Sequence, residues 1–197
     1  MNRDSNAYTF GFAAAMVVVV ASVLAFTASS LKDLQQENVR KEKMQNILAT
    51  IGIEIDRDGA EVLFNKHITS QIALRNDGTV DKSVDPFSEI KLALELKKEP
   101  TQQRFPLYLA DVEGASYYII PLRGAGLWDA IWGYIALESD RNTIKGAVFD
   151  HKAETAGLGA EITQQWFMDR FVGEKVFDND GKLIGISVSK TNNDPKD

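Results

Sequence analysis

The stretch Asp150-His151-Lys152-Ala153-Glu154-Thr155-Ala156-Gly157-Leu158-Gly159-Ala160-Glu161-Ile162 sets a histidine, a carboxylate and a hydroxyl beside two glycines that flank a leucine. A strand-like apolar run precedes it and a helix-like amphipathic run follows. Glycines at such a junction permit φ > 0 and let the backbone come close to a ligand. Leu158, held between Gly157 and Gly159, offers an apolar contact to a flat ring. Glu154 and Thr155 can hydrogen-bond a ring edge or a polyol chain. A second stretch, Arg123-Gly124-Ala125-Gly126-Leu127-Trp128-Asp129, places Leu127 and Trp128 directly after two glycines. An exposed indole there suits one wall of an aromatic ligand's pocket. Read alone, the first stretch equally suits a plain strand–loop–helix connection, and Trp128 and Trp132 suit the core better than a pocket. Convergence separates these readings: because both loops leave strand ends, Trp128, Glu154, Thr155 and Leu158 are expected around one concave site.

Little else in the chain offers chemistry. With no cysteine and only His67 and His151 among 197 residues, disulfides, iron–sulfur ligation and multi-histidine metal sites are excluded or disfavoured. His151, alone at a strand end, reads as a hydrogen-bonded structural residue, so no catalytic residue is assigned and no metal is expected. Gly124-x-Gly126 lacks the third glycine and the strand–helix setting of a dinucleotide fingerprint. A net charge of −6 argues against nucleic acid.

Several elements must position the two loops. Residues 8–31 carry no charge and are long enough for a membrane helix. With a single arginine offset by Asp4 and no clean cleavage site, an uncleaved anchor over 1–31 is preferred to a signal peptide. Leu31, Leu34, Met44, Ile47, Leu48 and Ile51 fall on one helical face and predict an amphipathic connecting helix over 32–52, ending at Gly52. Strands are expected at 105–110 and 116–122 about an Asp-Val-Glu-Gly turn, and at 131–137 and 147–149. A helix is expected over 161–172, and a hairpin over 177–188 turning at Asn179-Asp180-Gly181, with a similar turn at Asn76-Asp77-Gly78. The sum over 53–190 is one α+β domain with a mainly antiparallel sheet and flanking helices, followed by a polar linker at 191–197.

Taken in order, Gly126-Leu127-Trp128, then Gly133-Tyr134-Ile135-Ala136-Leu137, then Glu154-Thr155-x-Gly157-Leu158-Gly159 resemble the family of C subunits of the sodium-translocating NADH:quinone oxidoreductases. The Gly-Leu-Trp element sets the chain apart from the related Rnf-type complex. Ala156 replaces the proline usual in the last motif. The resemblance implies a membrane-anchored, FMN-carrying electron-transfer subunit, part of an oxidoreductase and not a complete enzyme alone. It implies FMN-binding roles for Leu127, Trp128, Glu154, Thr155, Gly157, Leu158 and Gly159. NADH would bind another subunit. The implied partners are the other membrane subunits and lipid, in a cell inner membrane with the domain on the periplasmic side, although Lys32, Arg40, Lys41 and Lys43 counted literally favour a cytoplasmic one. In the family FMN is joined to a threonine in a Ser-Gly-Ala-Thr-like motif. That motif is absent here, so attachment is expected beyond Asp197 and not at Thr155 or Thr191. The alternatives are an FMN subunit of the Rnf-type electron-transport complex and, from a different class, a flavin-free membrane-anchored assembly or sensor module.

Overall fold

The computed structural model describes residues 5–187. The polar linker at 191–197, Thr191 and the end of the expected terminal hairpin lie outside them. The chain divides into two compact units, residues 1–42 and 43–197. Helix α1, Asn6–Ala49, forms the described part of the first, and its last turns belong to the second.

In the first unit α1 is long and apolar enough to cross a membrane. Residues 8–31 alone rise ~36 Å, against ~30 Å of hydrocarbon core. Phe10, Val17, Leu24 and Phe26 are exposed along it. Leu31 and Leu34 are exposed too, unlike the buried face their spacing suggested. Among the described residues the unit is a single helix, with no second element to cover them.

In the second unit α1 closes with a Schellman pattern: Ile53 N–H donates to Leu48 O and Gly52 N–H to Ala49 O. Met44, Ile47, Leu48 and Ile51 are buried, as their spacing predicts. Helix α2 (Ala60–His67) then runs directly into β1 (Ile68–Arg75). A short α3 (Leu92–Glu95) and a 3-10 turn lead to β2 (Arg104–Val112), β3 (Ala115–Ala125), β4 (Ala130–Leu137) and β5 (Ile144–His151). The five strands lie in chain order and every neighbouring pair is antiparallel. The β2–β3 turn has φ of 53° at Glu113 and 87° at Gly114, the left-handed pair that a two-residue hairpin loop needs.

Strand alternation buries both faces of the sheet. Tyr108, Ile119 and Ala136 pack with the end of α1 and with Phe64 of α2. Tyr118, Ile120 and Ile135 face the other way, against Leu137, Ile144, Val176 and Phe171. Two expectations are corrected here. The segment 161–172 is not one helix but a 3-10 turn (Gly159–Thr163), a one-turn α4 (Gln165–Met168) and a second 3-10 turn (Asp169–Phe171). Gln164, extended at φ −82° and ψ 142°, interrupts it. The interruption lets Phe167 and Phe171 reach Phe149 of β5, with centroids 5.9 and 4.9 Å away. The hairpin at 177–188 reduces, among the described residues, to one bridge between Phe177 and Leu183. Its turn forms, with Asp178 Oδ1 accepting from the Asp180 and Lys182 amides, but Leu183 and Ile184 stay exposed and build no strand.

Candidate functional site

Strand pairing brings the two glycine loops together. β3 and β4 are joined through residues 126–129, with Ala125 opposite Ala130. β5 ends at His151 opposite Ile131, so the chain leaving β5 starts beside that loop. Lys152 N–H donates to Ala130 O at 3.0 Å and carries the pairing one residue further.

Each loop is fixed internally before it meets the other. In the first, Gly126 N–H donates to Asp129 O at 2.7 Å. In the second, the Leu158 and Ala160 amides both donate to Thr155 O at 3.1 Å. Gly157 has φ +75°, which an L side chain adopts only with strain, and its N–H donates to Glu161 Oε1 at 2.9 Å. Glu154 N–H donates to His151 Nδ1 at 3.2 Å. That bond places the neutral imidazole's proton on Nε2 and gives His151 a structural role.

Three side-chain bonds then tie the loops to each other. Trp128 N–H donates to Glu154 Oε1 at 3.0 Å, and the indole Nε1–H donates to Thr155 Oγ1 at 3.1 Å. Lys152 Nζ donates to Asp129 Oδ2 at 2.8 Å. This bond, with that from Ala130 N–H, holds the Asp129 carboxyl below its ordinary pKa. Leu127, Trp128 and Leu158 remain 84, 68 and 73% exposed. These large apolar groups stand out from hydrogen-bonded loops and are not part of a core.

All seven residues singled out from sequence thus lie in these two loops, and direct hydrogen bonds join Trp128 to Glu154 and Thr155. Trp132 belongs to β4 and is half-buried. Gly124 belongs to β3, opposite Ile131, and not to the loop. Sequence reading passed over Asp129, Lys152 and Glu161. Only Glu161 carried a local signal, a carboxylate one helical turn beyond a glycine amide.

The FMN-binding domain family matches residues 126–196, a span that opens on the first loop and includes the second. The C subunit of the Na(+)-translocating NADH-quinone reductase of Vibrio anguillarum is 30% identical, over 96% of this chain and 79% of its own length. The Pseudomonas aeruginosa C subunit is 29% identical, over 99% of this chain and 82% of its own length. The crystal structure of the Parabacteroides distasonis C subunit superposes with a TM-score of 0.74 at 34% identity, covering 81% of this chain and 77% of that one. The chain belongs to the family of C subunits of the Na(+)-translocating NADH-quinone reductases.

Proposed function

We propose that this chain is the membrane-anchored, FMN-carrying electron-transfer subunit of a sodium-translocating NADH:quinone reductase. The observation that carries the reading is the tie between the loops, which joins Trp128 to Glu154 and Thr155 while Leu127, Trp128 and Leu158 are all exposed. The residues present fit a flavin. Leu127, Trp128 and Leu158 supply apolar faces for a flat ring, and Thr155 supplies a hydroxyl. Its oxygen already accepts from the indole, so what the hydroxyl would offer a bound flavin is its own proton as a donor. Gly157, with open space where a Cβ would stand, allows close backbone approach, and Glu154 lies half-buried between the loops. When bound, FMN supplies the redox chemistry, and the protein sets its position, its potential and its access to water.

In this reading the chain relays electrons while NADH and quinone bind neighbouring membrane subunits, and coupling to sodium belongs to the whole complex. On the same reading residues 1–31 are the single-pass anchor, whose described part lies in helix α1, and 32–52 lead into the flavin domain, which faces the periplasm. In this reading neither Thr155 nor Thr191 is the residue to which FMN is attached.

The test is a titration of the full chain with FMN in detergent, followed by flavin fluorescence. Trp128→Ala and Leu158→Ala are expected to weaken binding about tenfold each, roughly 1.4 kcal/mol. Binding that neither substitution changes would put the flavin elsewhere, and no binding by the unaltered chain would overturn the flavin reading.

A further inference from the structure

We propose that Glu154 is a positioning residue, a wedge whose carboxylate sets the gap between the two glycine loops and so between Trp128 and Leu158. The inference rests on the FMN reading above and deepens it.

Glu154 is half-buried in a run whose neighbours from Lys152 to Leu158 are exposed. Its main chain is anchored through the bond from Glu154 N–H to His151 Nδ1. Oε1 accepts the Trp128 amide, a charge-assisted bond that holds the first loop at the indole's own residue. The same oxygen occupies the space that a Cβ on Gly126 would need. Oε2 does so at Gly159, where an added Cβ would come within 2.6 Å of it. Neither Gly126 nor Gly159 has a positive φ, so backbone angle does not require glycine at either position. Room does. At Gly159 all three of the nearest atoms to such a Cβ belong to Glu154. Glycine on both sides of one carboxylate is what a wedge between two loops requires, and aspartate is too short to span them.

Hydrogen exchange on the full chain without flavin tests the wedge, with FMN titration of the same variants in parallel. Glu154→Ala is expected to speed exchange at residues 126–128 about tenfold and to weaken FMN binding. Glu154→Gln keeps the length and one acceptor oxygen and is expected to stay near the unaltered chain in both. Gly159→Ala should loosen 126–128 in the unaltered background and do so less on Glu154→Ala, because the carboxylate that an added Cβ overlaps is then gone and only the Cβ of residue 154, at 3.2 Å, remains. Thermal unfolding identifies any variant that has merely lost its fold. Unchanged exchange at 126–128 in Glu154→Ala, or an equal effect of Gly159→Ala in both backgrounds, overturns the wedge. Looser loops with unaltered FMN binding overturn its positioning role. If the exchange pattern appears but the unaltered chain binds no FMN, the wedge stands and the flavin reading falls.

Discussion

Leu158 and His151 belong to the same loop and have opposite surroundings. Leu158 is 73% exposed, while half-buried His151 accepts a backbone proton at Nδ1. Leu158→Asp would set a carboxylate against an apolar ring, where an unpaired charge is costly. It would also repel a reduced, electron-rich flavin. If the proposed FMN site is right, this substitution is expected, in the FMN-loaded protein, to lower the flavin's midpoint potential or its retention. His151→Ala leaves the Glu154 amide without its acceptor, which costs roughly 0.5–1.5 kcal/mol of stability, and should leave the potential in place. Flavin stoichiometry, a redox titration and thermal unfolding on both variants decide this. A potential that moves with His151→Ala and not with Leu158→Asp reverses the two roles.

Helix α1 and strand β5 meet where neither can give way. Gly146 lies so close to Thr50 that an added Cβ would overlap the Thr50 carbonyl oxygen, which is backbone and has no rotamer to escape into. Gly146→Ala is therefore expected to lower stability by about 1–3 kcal/mol, the range for overpacking. Gly133→Ala, which meets the Val148 carbonyl, is expected to act alike. Equal unfolding midpoints for Gly146→Ala and the unaltered chain would show that the helix end shifts freely. The strands on either side of this contact were readable from sequence because alternation and left-handed turn residues agreed. β1 was not, because α2 passes into it at His67–Ile68 without a breaker, and its burial does not alternate cleanly. The segment 161–172 misled because Ile162, Trp166, Phe167 and Phe171 keep a helical spacing that the extended Gln164 interrupts. For the site, residue types announced both loops. The bonds of Glu154 to Trp128 and of Lys152 to Asp129 depend on the alignment of β4 with β5, which no local pattern encodes.

At the scale of the whole domain, a half-buried cation stands where the fold begins. Lys43, the first residue of the second unit, is half-buried and donates to Phe87 O at 2.5 Å. Its ammonium lies 4.1 Å from the Phe87 ring centroid and 5.7 Å from that of Tyr108. Burial lowers its pKa from 10.5 to about 8, against the opposing attraction of Asp85. Two tyrosines shift the other way. Burial pushes Tyr134 up to about 12 and Tyr108 higher still, and the Tyr108 hydroxyl has no hydrogen-bond partner among the described residues. The sign follows from proton counts. Between about pH 8 and 10.5 the unfolded chain holds the Lys43 proton and the folded chain has released it, so stability rises with pH. From about pH 10 the unfolded tyrosines ionise while the folded ones stay protonated, so stability then falls. The unfolding temperature of the domain in the full chain, followed by near-ultraviolet circular dichroism from pH 7 to 11, is expected to climb above pH 8 and turn over near pH 10. Lys43→Met removes the titrating group and fills the same apolar space, so the climb should vanish while the alkaline fall remains. A flat profile between pH 8 and 10 in the unaltered chain, or an identical climb in Lys43→Met, would mean that Lys43 keeps an ordinary pKa in the folded domain.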